Sequence, residues 1–132
     1  MGVTNRAVPF CPTSARSLEP GDLIAVPALP SGWSCLMVLE VRPNSRTAFY
    51  VALLDWHGDE PPNVASVASA PIIASAMTRV EIFTEGHLNV VDTGAPVDPV
   101  AVAALHDYSV GATSKVWGWR AAIKNASQAS TG

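Results

Sequence analysis

The sequence predicts a mainly β domain of the β-rich α+β kind: a strongly bent antiparallel sheet or a small SH3-like barrel, with one helix in the C-terminal half. Three observations lead there. Short apolar runs recur between clusters of Pro, Gly, Asn and Asp, the residues that turn a chain. Several of those runs are rich in β-branched and aromatic side chains, which suit a pleated surface. Only one later segment has a helical start signal. The 132 residues match the usual size of one domain.

Residues 1–17 read as an irregular N-terminal arm, because Pro9 and Pro12 preclude a regular ladder or helix interior. Val8 and Phe10 are apolar and suit docking. Residues 18–124 form the single β-rich domain. Glu19-Pro20-Gly21-Asp22 is a turn that feeds a strand over 22–26, stopped by Pro27. Pro30-Ser31-Gly32 turns the chain into a longer strand over 33–41. Cys35, Met37, Leu39 and Val41 lie on one face of it, and Leu36, Val38 and Glu40 on the other. Both faces are apolar up to Glu40, the pattern of a central strand covered on both sides. Pro43-Asn44-Ser45 turns into a third strand over 47–56, completing a meander.

Residues 57–63 are a loop, since Pro61 and Pro62 exclude regular pairing. Residues 64–70 are a helical turn or an extended segment. A strand is expected over 71–76 and a better one over 77–83, where Val80 and Ile82 alternate with Arg79, Glu81 and Phe83. Thr84-Glu85-Gly86 turns into a short returning strand over 87–91. Asp98 is an N-cap with Pro99 at the first helical position, so 99–108 is the one helix. A final strand is expected over 115–123, and residues 125–132 read as a disordered tail.

Composition narrows the function classes. Apolar residues make up 48% and charged residues 14%, against about a quarter charged in ordinary domains. Such a chain buries much of itself or presents an apolar face to a partner. The formal charge is −3, and the eight basic residues are scattered, which argues against nucleic-acid binding. No apolar run reaches the roughly 18 residues of a membrane span, and no secretory signal is present, so a cytoplasmic location is expected. Cys11 and Cys35 lack C-x-x-C spacing and are expected to be unpaired. His57, His87 and His106 sit on separate elements, so neither metal nor cofactor is expected. No Gly-x-Ser-x-Gly and no phosphate loop occurs, and Cys35 lies in an apolar strand that disfavours a thiolate. No catalytic residue is assigned.

Two clusters are candidate binding surfaces. Asp55-Trp56-His57-Gly58-Asp59-Glu60 places three carboxylates, a Trp and a His at a strand end and loop. It offers an acidic contact patch with Trp56 as anchor and Asp55, Asp59 and Glu60 as charge partners. As a bland alternative, it is a solvated turn with Trp56 on the core. Trp117 and Trp119 share one face of the expected final strand, as a partner-facing platform or as a plug at one end of the core.

The run from Glu19 to Pro27, a Gly-containing turn, and then Met37-Val38-Leu39-Glu40-Val41 resembles the opening of two families of small SH3-like barrels. One is immunity protein family 26 of bacterial polymorphic toxin systems. The other is the MazF/PemK group of ribonuclease toxins. The resemblance spans residues 19–55. The ribonuclease reading requires a basic residue opening the second strand, where this chain has Trp33-Ser34-Cys35-Leu36-Met37. The immunity reading requires no catalytic residue. It implies a non-catalytic domain, monomeric or homodimeric, whose partner is a cognate protein toxin with a basic surface. A ribonuclease or a phage assembly module is the alternative.

Overall fold

A computed structural model describes residues 8–105 and 116–128. Five strands build one antiparallel sheet: β1 (Leu23–Pro27), β2 (Trp33–Val41), β3 (Ala48–Leu54), β4 (Ile72–Arg79) and β5 (Asn89–Asp92). Their order is β4-β3-β2-β1-β5, so β1 to β3 form the expected meander, β4 extends it beyond β3, and β5 crosses to the far side of β1. Among the described residues, a 3-10 turn (Ala15–Ser17) and three α-helices accompany it: α1 (Glu81–Thr84), α2 (Pro99–Leu105) and α3 (Trp119–Gln128).

The first hairpin is locked by the turn that precedes it. The buried Asp22 carboxylate accepts the Glu19 N–H at 2.9 Å, Gly21 N–H donates to Val38 O at 2.8 Å, and Val38 N–H donates to Asp22 O at 2.9 Å. β2 lies at the centre, and apolar side chains cover both of its faces. Ile24, Val26, Leu36, Val38, Phe49 and Val51 pack under α1 and α3. On the other face Leu23, Cys35, Met37, Leu39, Tyr50 and Leu54 pack with Val67 and Ala95. Burying each such side chain stabilises the fold by about 1.5–3 kcal/mol. The alternation read for β2 holds up to Leu39. A register shift between Val38 and Glu40 then turns Val41 toward the face of Leu36 and Val38. An extra residue in one strand reverses the facing of everything after it.

The sheet is open, so of the two expected forms the closed barrel is not adopted. A small barrel has one inner face to fill. Here β1, β2 and β3 are apolar on both faces, and both need cover from helices and loops.

Three expected elements differ. The strand expected over 71–76 and its successor are one strand, Ile72–Arg79, and the segment expected to continue it folds as α1. A helical turn buries Ile82 and Phe83 together, where a strand would send neighbours to opposite faces. Phe83 then stacks on Phe49 with ring centroids 6.0 Å apart. The final strand over 115–123 is not formed. Val116 makes one parallel bridge to Met77, and α3 follows. Trp119, Ala122, Ile123 and Ala126 fall at i, i+3, i+4 and i+7, and this apolar stripe closes the core. Residues 125–128, placed by the sequence in a disordered tail, are the last turn of α3. Ser127 is buried there, and its carbonyl accepts the Leu29 N–H at 2.9 Å. The helix at Pro99 is therefore not the only one. Expectations for residues 1–7, for 106–108 with His106, for Lys115 and for 129–132 lie outside the described residues. No described helix is long and apolar enough to cross a membrane.

Candidate functional site

The acidic loop begins where β3 ends. Asp55 N–H donates to Pro71 O at 2.8 Å and Trp56 N–H to Leu54 O at 2.9 Å. Trp56 is half-buried against the core face of Leu54 and Tyr50. Gly58 then pairs with the start of β2: Trp33 N–H donates to Gly58 O at 2.8 Å, and Gly58 N–H to Trp33 O at 3.1 Å. His57 Nε2 lies 2.9 Å from Ser31 O. Gly32 has φ +86°, and a Cβ there would strike the His57 ring and, at 2.7 Å, Gly58 O. A Cβ on Gly58 would meet the Trp56 ring at 2.6 Å. The loop is thus clamped at its middle by the Pro30–Gly32 turn and by β2.

Asp55, Asp59 and Glu60 are exposed on this clamped loop. None of the three carboxylates has a hydrogen-bond or ion-pair partner among the described residues. Holding three anionic groups in place suits them to a partner that brings cations. Little ordering of the loop remains to oppose association.

Trp117 and Trp119 are not brought to this loop. Both are half-buried against the core face of Leu36 and Val38, while Trp56 packs on the opposite face. Trp117 precedes α3 and Trp119 opens it, so they do not share a strand face. Trp117 N–H donates to Met77 O at 2.8 Å. The Arg120 guanidinium lies 5.0 Å from the Trp119 ring centroid, a cation–π distance.

Cys11 and Cys35 are both unpaired. Burial pushes the Cys35 thiol up from 9.0 to about 12, against a smaller lowering by a backbone bond from Ile24. A neutral thiol inside a strand is a packing group rather than a nucleophile.

Sequence reasoning did not single out a groove of about 650 Å³ between β4, the 64–71 segment and α2. Ligand clefts commonly span roughly 300–1,000 Å³. Its walls include Met37, Leu54, Ile72, Ser75, Asp98 and Ala104. Helix α2 is apolar throughout its seven residues, yet none of them is buried. Its start is as expected, with Val100 N–H donating to Asp98 Oδ1 at 2.9 Å. The legible signal for the groove was a helix with no polar face beside a strand with no charge before Arg79. Comparison of the chain with protein-family models, with curated proteins and with solved structures finds no match.

Proposed function

We propose that the chain is a non-catalytic protein-binding domain of the immunity type, which neutralises a cognate toxin by occlusion. Loop 55–60 meets basic side chains on that toxin, with Trp56 backing the loop against the core. The observation that carries this reading is the clamped loop, with Asp55, Asp59 and Glu60 exposed and without partners among the described residues. The ribonuclease alternative has less support. The opening of β2 holds no Arg or Lys, and its Ser34, Cys35, Leu36 and Met37 are buried.

Co-expression with the product of the neighbouring gene tests the proposal. A stable complex and restored growth are expected. No complex and no rescue would sink it, and cleavage of RNA by the purified protein would replace it with the enzymatic reading. Asp59→Lys with Glu60→Lys separately tests the contact: affinity is expected to fall at least about tenfold, or about 1.4 kcal/mol. Unchanged affinity would place the interface elsewhere.

A further inference from the structure

The two edges of the sheet are treated differently. On β5 the outer edge is covered by Phe10, which exchanges two backbone bonds with Val90, at 3.0 and 2.9 Å. On β4 only Met77 is covered among the described residues, by the Trp117 N–H on its carbonyl. The strand from Ile72 to Met77 contains no charged residue and no proline. Charges and prolines are the usual means of keeping an edge from pairing with another chain.

Backbone groups in a strand point alternately to the two sides. Because Met77 O faces outward to Trp117, Ser75 faces outward too, and its N–H and C=O have no partner among the described residues. The Ser75 side chain lines the groove described above. Near it Ile73 is 51% exposed, and Val100 on the facing helix is 74% exposed. An edge without a partner among the described residues, beside an apolar groove, is the arrangement in which an extended peptide adds as a strand: the main chain supplies affinity, and alternate side chains enter pockets.

Charge indicates what kind of peptide. Asp98 is the sole charged residue lining the groove among the described residues. Asp55 stands at its end, tied by its N–H to Pro71 O. Between residues 48 and 105 there are seven carboxylates and one base, Arg79. A second copy of this chain, paired edge to edge, would bring these acidic rims together, so charge disfavours self-pairing.

We propose that the outer edge of β4 at Ser75 receives an extended segment of the basic partner as an added strand, its apolar side chains seated in the groove and its flanking lysine or arginine residues set against Asp55 and Asp98. This rests on the protein-binding role proposed above and adds a second, separable contact to that of loop 55–60.

The probe is a fluorescent peptide of alternating valine and threonine with paired lysines at each end. Binding is read by anisotropy, and its site by the amide resonances of the protein. Saturable binding is expected, with the largest shifts at Ile73, Ser75 and Ala104. Replacing the terminal lysines with glutamates, or methylating the valine nitrogens, is expected to weaken it at least about tenfold. Ser75→Pro, which removes the outward N–H, and Ile73→Lys, which charges the rim, should do the same. The N-methylated peptide leaves the protein untouched and keeps the test valid should Ser75→Pro fail to fold. Equal binding of the N-methylated peptide would overturn strand addition, and equal binding of the glutamate peptide would overturn the charge assignment. A wild-type dimer that Ile73→Lys converts to monomer would assign the edge to a second copy and overturn the proposal. Asp59→Lys with Glu60→Lys is expected to leave the peptide bound. Toxin binding that survives while the peptide fails would therefore remove the edge site alone.

Discussion

Gly32 and Cys35 show how single residues constrain the surface and the core. Gly32 combines φ +86° with a backbone and ring wall at the place where a Cβ would sit. A left-handed conformation costs a non-glycine residue about 1–2 kcal/mol, and the contact with Gly58 adds to that. Gly32→Ala is expected to destabilise the fold by at least about 2 kcal/mol in urea denaturation. It should also weaken partner binding beyond that loss, because His57 and Gly58 must move. Cys35 is held neutral by burial, with its thiol at about 12 instead of 9.0. The folded chain keeps a proton that the unfolded chain releases above pH 9.0. This group's contribution to stability is therefore intact below that pH and is lost as pH rises toward about 12. Cys35→Ala is expected to flatten the alkaline fall in unfolding free energy measured between about pH 9 and pH 11. With a thiol reagent near neutral pH, the exposed Cys11 should react in the native protein and Cys35 only after unfolding.

At the scale of elements, α1 and α3 act as one cover over the sheet. Phe83 of α1 stacks on Phe49, while Ala122 and Ala126 of α3 are fully buried in the same core. Ala126→Glu is expected to cost at least about 3 kcal/mol, since it buries a charge without a partner. A disordered tail would tolerate the same change, so thermal unfolding distinguishes the two arrangements. Phe83→Ala should cost about 3–5 kcal/mol through the cavity it leaves. Helix α2 contrasts with α3. It is apolar but has no fully buried residue, and Val100 is exposed, so Val100→Lys is expected to change stability by less than about 0.5 kcal/mol.

Along the chain, charge is segregated. Seven carboxylates and Arg79 occupy residues 48–105, while the other bases lie outside that stretch. Loop 55–60 and the groove rim both belong to the acidic part. Association with a basic partner is expected to be fast at low ionic strength and to slow as salt screens these charges, with a smaller change in dissociation. Stopped-flow measurements at several salt concentrations check this. An on-rate indifferent to salt would argue against the acidic surface.

Much of the meander was legible because its signals are local. Turn residues mark its corners, and β2 was expected over 33–41, where it is found. The loop at 55–60 was legible for the same reason: a strand runs out into Gly, Asp, Glu and two prolines. Its clamping was not, since that depends on Gly32 and Trp33, which are distant along the chain. Trp117-Gly118-Trp119 misled because period-two spacing of large rings mimics a strand, whereas the deciding stripe of Trp119, Ala122, Ile123 and Ala126 continues into small residues that look like a tail.

By itself the sequence determined a mainly β domain, a doubly covered central strand and an acidic loop, because turn chemistry and side-chain alternation act over a few residues. Only the tertiary structure decided that the sheet stays open, that α1 and α3 replace strands, and that the β4 edge faces a groove. Those outcomes depend on which distant apolar faces cover each other, and local pattern does not encode that choice.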